Sequence, residues 1–443
     1  MKICVIGAGA GGRSASGKIR ELDKDAEIDI FSTQSEIGYA PCELPFAMRG
    51  TYTDYDGIFY PGDFFKEKRV TVHLNTEITD IFRDKKIIIA GGESYNYDKL
   101  ILAVGANPSI PAIPGMNGEN EFAMNTDIAG WKKLNSTVSE YSSAAVIGSG
   151  AIGIETAQAL KERGHQHVYL FEIMDHILPS ALDKDMVERI EKVIEDSGIE
   201  LVLSAAIKKL ETKSDKKRII LEDRELEVDL LIFATGAQPR IDLAEKAGIQ
   251  IGETGAIAVN QYLQTSDPDI YAIGDCMENW DVVTGEKTRR LMVTTASITG
   301  TVAATNLMRG NVVPYRGTTM TFVMDISGHE VGTVGFTEER AKKLGLDIVS
   351  VFFETSKTRP TYGNKLVHCK LVADRKTQTL VGAQLFSQHG VGGIVNELAL
   401  AFASKIPVPD MLRIDTPYSP LIGSDPMKWA LEALMAKIEE ETR

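Results

Sequence analysis

The pattern Gly-x-Gly-x-x-Gly occurs twice in this 443-residue chain, as Gly7-Ala8-Gly9-Ala10-Gly11-Gly12 and as Gly148-Ser149-Gly150-Ala151-Ile152-Gly153. Its chemistry is the binding of a dinucleotide pyrophosphate. The first glycine permits a tight turn, the second lets the backbone approach the phosphates, and the third lets a helix lie close on a strand. The helix N-terminus then offers unpaired N–H groups and the positive end of its dipole. One such pattern alone is weak evidence. Here both copies have the elements that must position them. An apolar strand precedes each (Lys2 to Ile6; Ala144 to Ile147), and a helical stretch follows (Arg13 to Leu22; Ile154 to Arg163).

A unit of this kind ends its second strand in an acid that holds a ribose hydroxyl. In the second copy Val168-Tyr169-Leu170-Phe171 runs into Glu172, and 172 − 153 = 19 residues, close to the expected ~20. Glu172 accepts from a free 2′-hydroxyl and repels a 2′-phosphate, which predicts NADH over NADPH. In the first copy Glu27 to Phe31 runs into Ser32, with no acid at that place. Either Ser32 bonds the ribose or Glu36 reaches in. Two further strands repeat: Tyr97 to Leu102 ending in Ala103-Val104-Gly105-Ala106-Asn107-Pro108, and Val228 to Phe233 ending in Ala234-Thr235-Gly236-Ala237-Gln238-Pro239. Gly105 and Gly236 relieve crowding where the chain passes a cofactor, and the prolines end the strands. A last apolar strand, Asp269 to Ile273, ends in Gly274-Asp275.

The chain as a whole bounds the reading. Its length suggests two to four domains, and a 43% hydrophobic and 25% charged composition is that of a globular protein with more than one core. A net charge of −14 argues against nucleic-acid binding, which needs a basic face. No apolar run reaches the ~18–20 residues of a membrane span. The N-terminus reads as a core strand, not a leader, so the expected location is cytoplasmic. Cys4, Cys42, Cys276 and Cys369 are far apart and form no C-x-x-C pair. Neither a metal site nor a disulfide framework is expected.

These motifs, in this order and spacing, resemble the pyridine nucleotide–disulfide oxidoreductase superfamily over essentially the whole chain. The resemblance implies an α/β protein with two doubly wound dinucleotide-binding domains, for FAD and NAD, plus a C-terminal α+β dimerisation domain. The expected boundaries are residues 1–112 and 245–318 for FAD, 113–244 for NAD, and 319–443 for the interface. By resemblance, Gly7, Gly9, Gly12, Ser32, Ala103, Gly105, Gly274 and Asp275 hold FAD, with Asp275 on the ribityl chain. Thr295 and Ala296 open a helix (Thr294 to Met308) whose N-terminus points at the flavin. Gly148, Gly150, Gly153, Glu172 and Gly236 hold NAD. The tail from Pro426 to Thr442 reads as a helix with Met427, Ala430, Leu431, Leu434 and Ile438 on one packing stripe.

Tyr39-Ala40-Pro41-Cys42-Glu43-Leu44-Pro45 carries one cysteine followed by Leu-Pro. It resembles the single-cysteine branch: coenzyme A disulfide reductases, persulfide reductases, NADH oxidases and peroxidases. That resemblance makes Cys42 a redox thiol cycling against a mixed disulfide, persulfide or sulfenic acid. It adds Tyr418 and Tyr362 from a partner subunit, and Lys18 and Arg20 as phosphate ligands for coenzyme A. Glu43 departs from the branch, which has a small residue there; a neighbouring carboxylate raises a thiol's pKa. Ala10, where peroxidases carry histidine, is similar to the coenzyme A and persulfide reductases. The resulting expectation is a homodimeric FAD-dependent NADH oxidoreductase acting on a disulfide, persulfide or related thiol. Two alternatives stand beside it: the NAD-handling subunit of a larger assembly with an iron–sulfur partner, and an oxidase reducing oxygen.

Overall fold

The structure, a computed structural model, describes residues 1–50, 63–124, 127–213, 215–356, 361, 363, 365–419 and 426–442. The chain folds as two compact units. The first comprises Met1–Pro111, Phe122–Glu140 and Thr235–Thr318; the second comprises Ala112–Glu121, Tyr141–Ala234 and Thr319–Arg443.

The first unit is built on a parallel sheet whose strands lie in the order Ile270–Ala272, Lys99–Leu102, Lys2–Ile6, Glu27–Phe31, Thr71–His73. Its central strands are runs of Ile, Val and Leu because they are covered on both faces. Ile3, Val5, Leu100 and Ile101 are fully buried. The first glycine helix is Ala10–Leu22, starting three residues before the expected Arg13. Arg13 N already donates to Gly9 O at 2.9 Å. Gly11 and Gly12 therefore sit inside a helix despite their poor propensity. Tertiary contact overrides it: a Cβ on Gly12 would stand 2.0 Å from Gly7 O. This helix packs on Val293–Arg309. A Cβ on Gly300 would lie 2.5 Å from Gly11 O, so bare backbone lets the two helices meet.

The second unit repeats the plan. Its parallel strands lie in the order Glu200–Val202, His167–Phe171, Ser143–Ile147, Leu230–Phe233. The second glycine helix is Ala151–Glu162, again three residues earlier than expected, for the same reason: a Cβ on Gly153 would stand 1.8 Å from Gly148 O. The C-terminal part is an antiparallel sheet in the order Phe322–Ile326, His329–Gly335, Leu380–Ser387, Leu366–Asp374, Ile348–Ser356. The tail helix Met427–Thr442 packs on the last two of these strands. Met427, Ala430, Leu431, Leu434 and Ile438 are all buried, as their spacing predicts. Buried Lys370 ties this sheet to the helices Lys184–Asp196 and Glu338–Lys343, through Asp185 and Glu338, each at 2.7 Å. Among the described residues, no helix is long and apolar enough to cross a membrane.

Candidate cofactor and redox sites

At the carboxyl ends of the first sheet, the expected FAD residues converge. Gly7 abuts Ala103, whose carbonyl would lie 2.1 Å from a Cβ at Gly7. Gly274 N donates to Thr299 Oγ1 at 3.1 Å, and its Cβ position lies 3.2 Å from Ala296 Cβ. A Cβ at Gly11 would in turn lie 3.3 Å from Ala296 O. The ends of both long helices are thus brought beside the first glycine turn. Gly9 behaves differently from its neighbours: a Cβ there would meet nothing within 4 Å. Tight packing explains Gly7 and Gly12; packing makes no such demand at Gly9, so the backbone there stays open to a ligand.

The helices that begin after Gly9, Gly150 and Met292 have no side-chain cap and no acid in the first turn. By contrast, Asp127 and Thr337 cap the helices Ile128–Val138 and Glu338–Lys343 with their side chains. An uncapped N-terminus leaves N–H donors for an anion.

Asp275 provides the test of fit for a flavin. Its Oδ1 is buried without a hydrogen-bond partner. Burial alone pushes its carboxyl up to about 6. A buried carboxylate lacking donors is costly, and a polyol chain would supply them. The residues present therefore fit FAD. Ser32, at the end of Glu27–Phe31, is buried and its Oγ accepts from Gln34 N at 3.2 Å. Glu36 is paired with Lys132 at 2.7 Å, and Gln34 Oε1 accepts from Ile128 N. The loop after Ser32 is thus bound to the helix Ile128–Val138.

In the second unit Gly150 is open as Gly9 is. Glu172 lies directly beyond His167–Phe171, buried, with Oε2 accepting from Ser149 N at 3.1 Å and Ser149 Oγ at 2.6 Å. Its Oε1 accepts from Met174 N at 3.0 Å. Beside it Ile173 and Met174 are 69% and 46% exposed, an apolar surface next to the acid. Neither these residues nor Ser149 is among the expected site residues; the signals in the sequence are a hydroxyl between the first two glycines and two apolar residues after the acid. Gly236 falls in the first unit. Its carbonyl accepts from Ser109 N, Gly105 O accepts from Arg240 N, and Ala106–Pro108 pairs antiparallel with Ala237–Pro239.

The four thiols are not alike. Cys4, Cys276 and Cys369 are buried, and burial pushes them up to about 12, 11 and 12. Cys42 is exposed. It sits in a single 3₁₀ turn, Pro41–Glu43, leading into the short helix Leu44–Met48. The fixed φ of Pro41 starts the turn, and buried Leu44, Pro45 and Met48 anchor it.

Residues 1–300 match the family model of pyridine nucleotide-disulphide oxidoreductase, and residues 324–430 match that family's dimerisation domain. The chain belongs to this family. It is 32% identical over 456 residues, all of both chains, to an NADH oxidase of Methanocaldococcus jannaschii. It is 30% identical over 426 residues, 95% of this chain and 94% of the other, to an NAD(P)H coenzyme A polysulfide/persulfide reductase of Pyrococcus horikoshii. The structure of an NAD-dependent persulfide reductase from A. fulgidus superposes with a TM-score of 0.94 at 30% identity, covering 99% of this chain and 84% of that one. The oxidoreductase is therefore an enzyme of the FAD- and NAD(H)-using type.

The remaining expected site residues fall as follows. Tyr418 is 56% exposed. Tyr362 lies outside the described residues. Lys18 Nζ pairs with Glu21 at 2.8 Å. Arg20 is committed to the backbone: its guanidinium donates to the carbonyls of Lys68, Asp23, Lys24 and Arg69. It fastens the end of the first glycine helix to the chain before Thr71–His73.

Proposed function

We propose that this oxidoreductase reduces a sulfur–sulfur bond with NADH through Cys42, working as a cytoplasmic homodimer. The observation that carries this is the contrast among thiols: Cys42 is exposed while the other three are buried and hard to ionise. Nucleophilic attack needs a thiolate and access to the incoming sulfur. The balanced reaction is NADH + H⁺ + R–S–S–R′ → NAD⁺ + RSH + R′SH, with R′ a hydrogen for a persulfide. The Cys42 thiolate attacks one sulfur, the S–S bond breaks, and R′S⁻ leaves and takes a proton. Two electrons then cleave the mixed disulfide, returning the Cys42 thiolate and releasing RSH. Bound FAD supplies the two-electron relay between nicotinamide and sulfur. Asp275, its ionised form stabilised by hydroxyl donors, holds the flavin chain; Glu172 holds the ribose of NADH and turns away a 2′-phosphate.

The acceptor class is that of a disulfide, persulfide or coenzyme A thiol. Lys18 is the basic residue this reading keeps for a phosphate, since an exposed pair such as Lys18–Glu21 contributes little and exchanges readily. Arg20 is given a structural role. Tyr418 and Tyr362 would be presented to Cys42 of a second copy. A second reading, reduction of oxygen, is favoured by full-length similarity to the M. jannaschii NADH oxidase. Turnover on oxygen above that on every sulfur substrate would select it. Co-purification of an iron–sulfur protein would place the dimer in a larger electron-transfer assembly.

The decisive experiment is an anaerobic NADH titration of wild type and Cys42→Ser, following the flavin spectrum. Wild type is expected to take up two more electrons per flavin than the variant. Equal uptake, one NADH per flavin in both, removes Cys42 from the reaction.

A further inference from the structure

The hydroxyl of Ser149 lies inside the second glycine turn, at a position the Gly-x-Gly-x-x-Gly pattern leaves open. It is fully buried. Three of its polar groups are used, and all face the loop that carries the specificity acid. Its N–H and its Oγ both donate to Glu172 Oε2, and its carbonyl accepts from Leu178 N at 3.1 Å. The acid is held from its other side by Met174 N. The loop is pinned further by Ala205 N on Glu172 O and Ser204 N on Met174 O, at 2.9 and 2.8 Å. The corresponding residue of the first turn is Ala8, which has no hydroxyl, and the first unit has no acid to hold.

A carboxylate has about four acceptor positions. Three on Glu172 are filled by these donors, so its remaining capacity is aimed by the loop and not chosen by the side chain. A free glutamate can rotate away from a bulky anion at little cost. A glutamate tied by a charge-assisted O–H···O bond of 2.6 Å cannot do so without leaving a buried hydroxyl unpaired.

We propose that Ser149 is a positioning residue that locks the Glu172 carboxylate in place and thereby sets the preference for NADH over NADPH. The proposal rests on the reading of Glu172 as the ribose-binding acid. The test is calorimetric measurement of NAD⁺ and NADP⁺ affinity for the flavin-loaded protein, in wild type, Ser149→Ala, Glu172→Gln and the double variant. Ser149→Ala should lower the NAD⁺/NADP⁺ preference roughly 10- to 150-fold, the range of one hydrogen bond to a charged group, with flavin content and kcat unchanged and KM for NADH raised. In the Glu172→Gln background the same serine change should have no further effect on preference. An unchanged preference in Ser149→Ala overturns the proposal. So does an equal weakening of both dinucleotides, or a serine effect that persists without the acid. If Glu172→Gln itself keeps the wild-type preference, the acid reading fails first and on its own.

Discussion

The two glycine units share strand order, helix start and bare helix end, yet they treat the far end of their ligand differently. In the second unit the acid at the end of the second strand, Glu172, already accepts hydrogen bonds from Ser149 and Met174. In the first, the matching place holds Ser32, whose hydroxyl oxygen accepts from Gln34 N within its own turn. The unsatisfied group there is Asp275, delivered by a different strand and left without a donor. The difference follows from use. A cofactor that enters and leaves each turnover is served by a site formed in advance, because ordering it anew would weaken binding. A cofactor that stays can complete the fold of its own site.

The largest effects should come from closing the two turns separately. Gly12→Ala places a methyl about 2 Å from Gly7 O, and Gly153→Ala does the same against Gly148 O. Each should cost about 3 kcal/mol or more locally, since backbone faces backbone and no side chain can yield. Flavin absorbance per chain should collapse in Gly12→Ala, while Gly153→Ala keeps its flavin and loses NAD⁺ binding. Loss of both cofactors in both variants would mean the units are not separate in function.

Next in size is the pH response of the orphaned acid. Asp275 is raised to about 6 in the cofactor-free fold, above the ~4 of an unfolded carboxylate. Its contribution to the stability of the apo fold is therefore full below pH ~4 and is lost as pH rises through about 6. Hydroxyl donors favour the ionised form, so flavin binding should release a proton. Flavin affinity should rise several-fold from about pH 5 to about pH 7 in wild type and stay flat in Asp275→Asn. Fluorescence titration of apoprotein at several pH values reads this directly; parallel slopes would remove Asp275 from the flavin site.

The smallest effect is expected at Ser32. Replacing it with alanine removes one local hydrogen bond, about 1 kcal/mol of turn stability. Flavin content should be unchanged, whereas a substantial loss of flavin would show that this serine does the work of the missing acid.

Much of this was legible in sequence because it depends on local spacing. The glycine turns, the strand–helix alternation and the stripe of the tail helix are set by periods of a few residues, and all appear where the pattern placed them. The helix starts were read three residues late because glycine has low helix propensity, and only contact with Gly7 O and Gly148 O makes Gly12 and Gly153 necessary inside a helix. The role of Arg20 was likewise invisible: two basic residues on one helix look alike until Lys68 and Arg69 bring their carbonyls to one of them.

By itself, then, the sequence determined the fold class, the number of dinucleotide turns, the acid of the second unit and the identity of the lone motif cysteine. These rest on residue type and near-neighbour spacing. Only the tertiary structure decided which cysteine stays accessible, which carboxylate is left without a donor, and which serine grips Glu172. Accessibility and hydrogen-bond satisfaction depend on groups brought together from far along the chain: Asp275, whose Oδ1 is buried, follows a strand that pairs with Lys99–Leu102, and no local pattern records whether a partner arrives.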